Sequence, residues 1–391
     1  MDRTPQRRAW SLASRLAQPD RLAPGGFRPL VVPVYRGSTT LFDDAASVRD
    51  TWNPDEAAYT YGQYGTPTTY ELAARMSELE GGVRTFITPG GQSALALVDL
   101  ALLGAGDHVL RPQSVYGPSR DLADGLLTRF GVEVGYYPPL AGADIGDYLQ
   151  PNTKLVWCES PGSITMEVQD VPAIAEAARS RGALVAVDNT WAAGVFFKPL
   201  RHGADVAVQA LTKYVGGHSD LLLGSVTVSD QVLYERLGDA LFRLGMAVSP
   251  DDCSLALRGL QTLTVRLAVI ERSALAIAEW LSKRPEIQTV LHPALPSCPG
   301  HDVWRRDFSG SSGTFSIVFN SSVERADVLR FIDSLEMFRI GYSWGGVTSL
   351  AVPRGDEPNR PDNPYGNRLV RLSIGLEDTQ DLIADLERAL G

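Results

Sequence analysis

From Val83 to about residue 228, short apolar runs alternate with segments patterned at a helical period. VRTFIT precedes GGQSALALVDLALLGAG, DHVLR precedes DLADGLLTRFG, and KLVWCES precedes DVPAIAEAARSRG; ALVAVD, VAVQAL and GSVTV follow. These runs lack the polar alternation of a half-solvated strand, as do strands covered on both faces. The rhythm therefore predicts an α/β fold with a mostly parallel sheet flanked by helices. The next stretch, CSLALRGLQTLTVRLAVIERSALAIAEWLSKR, has apolar residues at 3.6-type spacing and predicts a long helix bridging two domains. From TVLHPAL onward, strand-like GTFSIVF and LVRLSIGL mix with helical ERADVLRFIDSL and DTQDLIADLERAL, which predicts a smaller C-terminal α+β domain. The one clear loop by composition is PRGDEPNRPDNPYGN, Pro353 to Asn367.

Charge narrows the function. A net charge of −10 over 391 residues argues against nucleic-acid binding, which needs a basic face. Cys158, Cys253 and Cys298 are widely spaced, with no CxxC pair, and the five histidines are scattered, so neither a disulfide framework nor a metal centre is expected. No run approaches the roughly 18 consecutive apolar residues of a membrane span. The N-terminal MDRTPQRRAWSLASRLAQ lacks the apolar core of a secretory signal and reads as a polar arm, with an Arg-rich organelle-targeting segment as the alternative. A cytoplasmic small-molecule enzyme, with no membrane or nucleic-acid partner, is the expectation.

Lysine usage points to the chemistry. The chain has four lysines (Lys154, Lys198, Lys213 and Lys283) among 36 basic residues. Lys213 follows the apolar run ADVAVQALT and lies 25 residues after Asp188, which ends the run ALVAVD. A lysine retained in such a setting suggests a need for an amine that can lose its proton, which arginine cannot supply. A Schiff-base lysine with an aspartate partner for a pyridinium nitrogen is the arrangement of pyridoxal phosphate enzymes.

Other candidates carry alternatives. Gly90 and Gly91, between a strand and a helix, suit either a phosphate at a helix N-terminus or a plain tight turn. The Thr212 hydroxyl could reach that phosphate, or Thr212 is an ordinary β-branched strand residue. Tyr116 falls just after DHVLR at the sheet edge where ligands of open α/β folds collect, as a ring that stacks on a flat cofactor or as an ordinary half-buried tyrosine. Arg371, inside the apolar strand LVRLSIGL, needs an anion partner: a substrate carboxylate or an internal salt bridge.

Longer stretches carry a resemblance. They include YGQYGTPTTYELAARMSELEGG, VYGPSRDL, KLVWCESPGSITMEVQDVPAIA, VDNTWAAGVFFKPL, QALTKYVGGHSD, LRGLQTLTVRL, YSWGG and RLSIGLED. The chain resembles the Cys/Met metabolism family of pyridoxal phosphate enzymes from about residue 30 to its end. ESPGSITMEV and YSWGG favour the family's β-lyase branch, because its γ-branches usually read ESPxNP and SLGG there.

The resemblance implies the fold type I of pyridoxal phosphate-dependent transferases. It divides the chain into an N-terminal arm contacting a neighbouring subunit (1–60), a cofactor-binding domain (61–255) and a C-terminal domain (256–391). It implies that Lys213 anchors the cofactor and serves as the Cα base, Asp188 pairs with the pyridine nitrogen and Tyr116 stacks on the ring. Gly91 and Gln92 would give backbone amides to the phosphate and Thr212 its hydroxyl, while Tyr61 would reach the phosphate of a neighbouring subunit's cofactor. Arg371, with Ser343 and Trp344, would hold the substrate α-carboxylate. The implied activity is a carbon–sulfur β-lyase acting on L-cystathionine, in a homotetramer built of two dimers with shared sites. Alternatives are a lyase for another cysteine S-conjugate, a γ-lyase or γ-synthase, and a cofactor-binding regulatory protein. Three departures stand out: Gln63 replaces a phosphate-binding arginine, Ala210 a serine of the SxTK pattern, and Thr348 a glutamate of GGxES. Ser163 stands where much of the family carries asparagine.

Overall fold

The computed structural model describes residues 10–17, 29–355 and 363–391. Seven strands form the larger sheet: β1 (Arg84–Thr88), β2 (His108–Pro112), β3 (Glu133–Tyr137), β4 (Thr153–Glu159), β5 (Leu184–Asp188), β6 (Val206–Ala210) and β7 (Gly224–Val228). Their order is β3-β2-β4-β5-β6-β7-β1. Strands β3 to β6 run parallel, and β7 is antiparallel to both β6 and β1. The expected mostly parallel sheet is therefore present, with one reversed strand.

Aliphatic side chains from both faces explain the unalternating runs. Val156, Val185 and Val187 belong to one core, whereas Leu155, Ala186, Val206 and Val208 belong to another on the opposite face. The helix Pro67–Glu80 crosses one face, with Thr66 as N-cap, Pro67 in the first turn and Gly81 closing it at φ 77°, where glycine escapes the β-carbon penalty. The helices Gly91–Leu102 and Gln231–Arg243 pack against the other core.

Strand β3 escapes the hydrophobic pattern. It is an edge strand, graded from exposed Glu133 to buried Tyr137, with Gly135 opposite Leu110. DLADGLLTRFG departs from a regular α-helix as well: Gly117–Asp121 continues into a π-helical turn, Leu122–Leu127, and a 3-10 turn, Thr128–Phe130.

The helix Pro250–Leu281 bridges two cores. Leu260, Leu263 and Ile270 join the core of the larger sheet, while Ala274, Ile277 and Leu281 join that of the smaller one. By length and composition it could cross a membrane, but Arg258, Arg266, Glu271 and Arg272 interrupt it and both protein cores cover its apolar stripe. The smaller sheet has the order β10-β11-β12-β9-β8, from β8 (Ile287–Leu291), β9 (Thr314–Phe319), β10 (Arg339–Ile340), β11 (Leu350–Arg354) and β12 (Leu369–Ser373). Of the loop expected from Pro353 to Asn367, Pro353 and Arg354 close β11, and 356–362 lie outside the described residues. Residues 1–9 and 18–28 of the expected arm also lie outside them.

Candidate active site

Parallel strands that end together bring their following residues to one edge. Asp188 ends β5, Glu159 ends β4 beside it in register, Tyr116 follows β2, and Lys213 sits in the turn after β6. Gly90 and Gly91 follow β1. The smaller sheet closes over this edge with Arg371 on β12 and the loop between β10 and β11, which holds Ser343 and Trp344.

Ser343 joins the two groups of residues. Its Oγ accepts from Lys213 Nζ at 2.6 Å, and its carbonyl accepts from Arg371 Nη2 at 2.9 Å. Ser343 adopts φ 76°, the left-handed region, and Gly345 follows at φ 84° against the Lys213 backbone. Lys213 Nζ also lies 5.4 Å from the Trp344 ring centroid. Burial, reinforced by the Arg371 charge and opposed by Asp188, lowers the Lys213 pKa to about 8.

Asp188 is held on one oxygen. Its Oδ1 accepts from Thr190 N at 3.0 Å and Thr190 Oγ1 at 2.5 Å. Burial raises its pKa, and these two bonds and Lys213 oppose the rise. The backbone N–H of Tyr116 donates to Glu159 Oε2 at 2.7 Å. Burial and the Glu159 and Asp188 charges raise the Tyr116 phenol pKa, so the hydroxyl keeps its proton near neutrality.

The helix Gly91–Leu102 begins at this edge, with the unpaired N–H groups of its first turn directed there. A β-carbon on Gly91 would fall 2.6 Å from Ala210 Cβ, so glycine lets the helix start close on β6. The Gln92 side chain donates to Pro118 O at 2.9 Å. Thr212 Oγ1 donates to Leu223 O at 3.2 Å and accepts from Leu223 N at 3.2 Å; to donate to a phosphate it must release the carbonyl.

Tyr61 and Gln63 lie apart from this cluster. Tyr61 is 46% exposed and Gln63 Nε2 donates to Phe242 O at 3.0 Å, tying the turn to a helix end. Thr348 is exposed on the β10–β11 loop. Ser163 N donates to Ser114 O at 2.9 Å, just upstream of Tyr116.

A half-buried amine, a half-buried carboxylate and a helix N-terminus at one edge suit an aldehyde, a pyridine nitrogen and a phosphate in turn. Residues 15–391 match the Cys/Met metabolism PLP-dependent enzyme family. The chain belongs to that family. Its members are PLP-dependent, so pyridoxal phosphate is the cofactor. The cystathionine beta-lyase MetC of Escherichia coli is 44% identical over 90% of this chain and 91% of its own. The cystathionine beta-lyase of Salmonella typhimurium is 42% identical, with 90% and 91% covered. Among solved structures, the cystathionine gamma synthase of Xanthomonas oryzae pv. oryzae in complex with cystathionine superposes with a TM-score of 0.90 at 32% identity, covering 97% of this chain and 98% of that one. This family member is thus a PLP-dependent lyase of sulfur amino-acid metabolism by its relatives, with the family's fold.

Several residues around the edge were absent from the sequence reading. Glu159 lies in ESPG and Thr190 in DNT, inside motifs that were recognised, and their partners Tyr116 and Asp188 explain why they stand there. Glu80, Asn189 and Gln209 form a buried polar cluster under the strand ends. The one local signal was Gln209, a polar residue inside the apolar run VAVQA.

Proposed function

We propose that this family member is a carbon–sulfur β-lyase that cleaves L-cystathionine with water to homocysteine, pyruvate and ammonia. The observation that carries the proposal is the Lys213 amine, lowered to about 8 by burial and set 2.6 Å from Ser343, whose carbonyl is held by Arg371. An amine so placed is available as a neutral base close to physiological pH. Higher identity to two β-lyases, 44% and 42%, than to the γ-synthase structure, 32%, supports β-cleavage.

Pyridoxal phosphate, when bound, supplies the electron sink that acidifies the substrate's Cα proton. Lys213 would anchor it and later take that proton; Asp188 would keep the pyridine nitrogen protonated; Tyr116 would stack on the ring. Amides of Gly91 and Gln92 and the Thr212 hydroxyl take the phosphate. Arg371, with Ser343 and Trp344, binds the α-carboxylate and thereby fixes the Cα–H bond relative to Lys213. The Cβ–S bond breaks as the Cα proton leaves, the sulfur departs with the bonding pair, and Lys213 or Tyr116 returns a proton to the thiolate. Water hydrolyses the remaining three-carbon imine to pyruvate and ammonia.

In this proposal the chain acts in the cytoplasm as a homotetramer of two dimers, with Tyr61 completing a partner's site. Its parts are an arm (1–60), a cofactor domain (61–255) and a C-terminal domain (256–391). A second reading, a lyase for another cysteine S-conjugate, is favoured by the exposed Thr348 and by Gln63 turned toward Phe242. Mass spectrometry of products from a panel of S-substituted cysteines separates them. Pyruvate with homocysteine from cystathionine at the highest kcat/KM is expected; cysteine with 2-oxobutyrate, or a faster conjugate, overturns the proposal.

A further inference from the structure

Beneath the Asp188–Lys213 edge lies a carboxyl group that the chemistry above does not use. Glu80 is the last residue of the helix Pro67–Glu80 and is fully buried. Asn189 Nδ2 donates to both its oxygens, at 3.2 and 2.9 Å, and Gln209 Nε2 donates to Oε1. Asn189 directly follows Asp188 at the end of β5, and Gln209 lies on β6, four residues before Lys213. One carboxyl group therefore grips the ends of both strands that carry the Asp188 carboxylate and the Lys213 amine.

The grip is specific in orientation. Asn189 Nδ2 also donates to Phe197 O at 3.0 Å, which leaves Asn189 Oδ1 buried without a partner. An orphaned acceptor is tolerated where the amide nitrogen is needed in a set direction. Lys198 Nζ donates to Leu79 O beside this group, so the second part-buried lysine of the chain attends the same cluster, whereas Lys154 and Lys283 are exposed. Burial, opposed by Gln209, Asn189 and Lys198, raises the Glu80 pKa to about 7. The helix C-terminus itself disfavours negative charge.

We propose that Glu80 is a positioning residue of the cofactor site: through Asn189 and Gln209 it locks the ends of β5 and β6 together and sets the separation between Asp188 and Lys213. This rests on the assignment of Asp188 and Lys213 to the cofactor made above. The substitution Glu80→Gln keeps the shape but presents an amide to two amide donors, so one tie breaks. The readout is the visible absorption of the cofactor bound to the protein, followed against pH, with steady-state kinetics beside it.

Glu80→Gln is expected to load pyridoxal phosphate and to shift the midpoint of the absorption change by about half a unit or more. A roughly tenfold fall in kcat at nearly constant KM should accompany it. Gln209→Met, which removes one donor and leaves Glu80 and Asn189 in place, is expected to shift the midpoint by less. A lowered Tm with an unmoved midpoint in both variants would show a purely structural carboxyl and overturn the proposal. If Glu80→Gln does not fold by circular dichroism, Gln209→Met decides by the same criterion. An absorption change that survives Lys213→Ala in a chain with Glu80 and Gln209 intact would instead sink the assignment of the anchor, a separate failure.

Discussion

Asp188 and Lys213 stand at the ends of strands packed between two buried cores, whereas Ser343 and Trp344 stand in a loop where Tyr342 is 81% exposed and Thr348 is open to solvent. The floor is fixed by strand register and by Thr190, Asn189 and Glu80. The mouth is held by one contact that reaches back to the floor, Lys213 to Ser343, and by contacts within its own domain, Arg371 to Ser343 and Ser349 to Glu377. On the proposed function the difference gives the two separate work: the floor would supply the reactivity, and the mouth the part of recognition that can change with the substrate.

Breaking the floor should cost most. Lys213→Ala is expected to lower kcat by at least about a thousandfold, because the base is lost, as measured by pyruvate release. At the mouth, Arg371→Lys keeps a charge but loses the planar fork, and kcat/KM should fall about a hundredfold with KM carrying most of the change. An unchanged KM would mean that the carboxylate is held elsewhere.

A third experiment sharpens the comparison through stability. In the cofactor-free protein the Lys213 pKa of about 8 lies below its ordinary 10.5, so the unfolded chain binds more protons between these values. Wild-type stability from this group therefore rises as pH increases from about 8 to about 10.5, and below 8 the full cost of burying the charge is borne. Lys213→Met should raise Tm at pH 7 by a few degrees, roughly 2–4 °C per kcal/mol relieved, and the gain should shrink toward pH 10.5. A constant gain across that range would show that the charge is not the cause.

The smallest effect is expected at the turn near Tyr61. Gln63→Ala removes the bond to Phe242 O, worth about 1 kcal/mol, so Tm should drop by roughly 2–4 °C while cofactor affinity changes less than about threefold. A tenfold loss of affinity, read by equilibrium dialysis, would make Gln63 a phosphate ligand after all.

Much of the floor was legible because its strands are buried on both faces and read as unbroken apolar runs. β3 was not, since an edge strand grading from exposed Glu133 to buried Tyr137 shows neither period. Glu80 looked like one more glutamate in MSELEGG; its partners lie 109 and 129 residues away, beyond any local pattern. Gln63 registered as a missing arginine, while its actual contact, 179 residues distant, was invisible. The family resemblance reached Ser343, Trp344 and Arg371, but no pattern revealed that a single serine would contact both the amine and the guanidinium.

The turn that carries Lys213 is tied by its main chain at both ends. Lys213 N donates to Ala210 O and Gly217 N to Lys213 O, Gly216 N donates to Leu211 O, and Thr212 pairs with Leu223 through backbone and hydroxyl. An exchange of partners by the amine can therefore proceed as a swing of its own aliphatic stem about a tethered root. Such a swing needs no loop opening, and rotamer changes of this kind are fast compared with domain motions. Inertness of the backbone here makes one flexible tether the working part of an otherwise fixed machine.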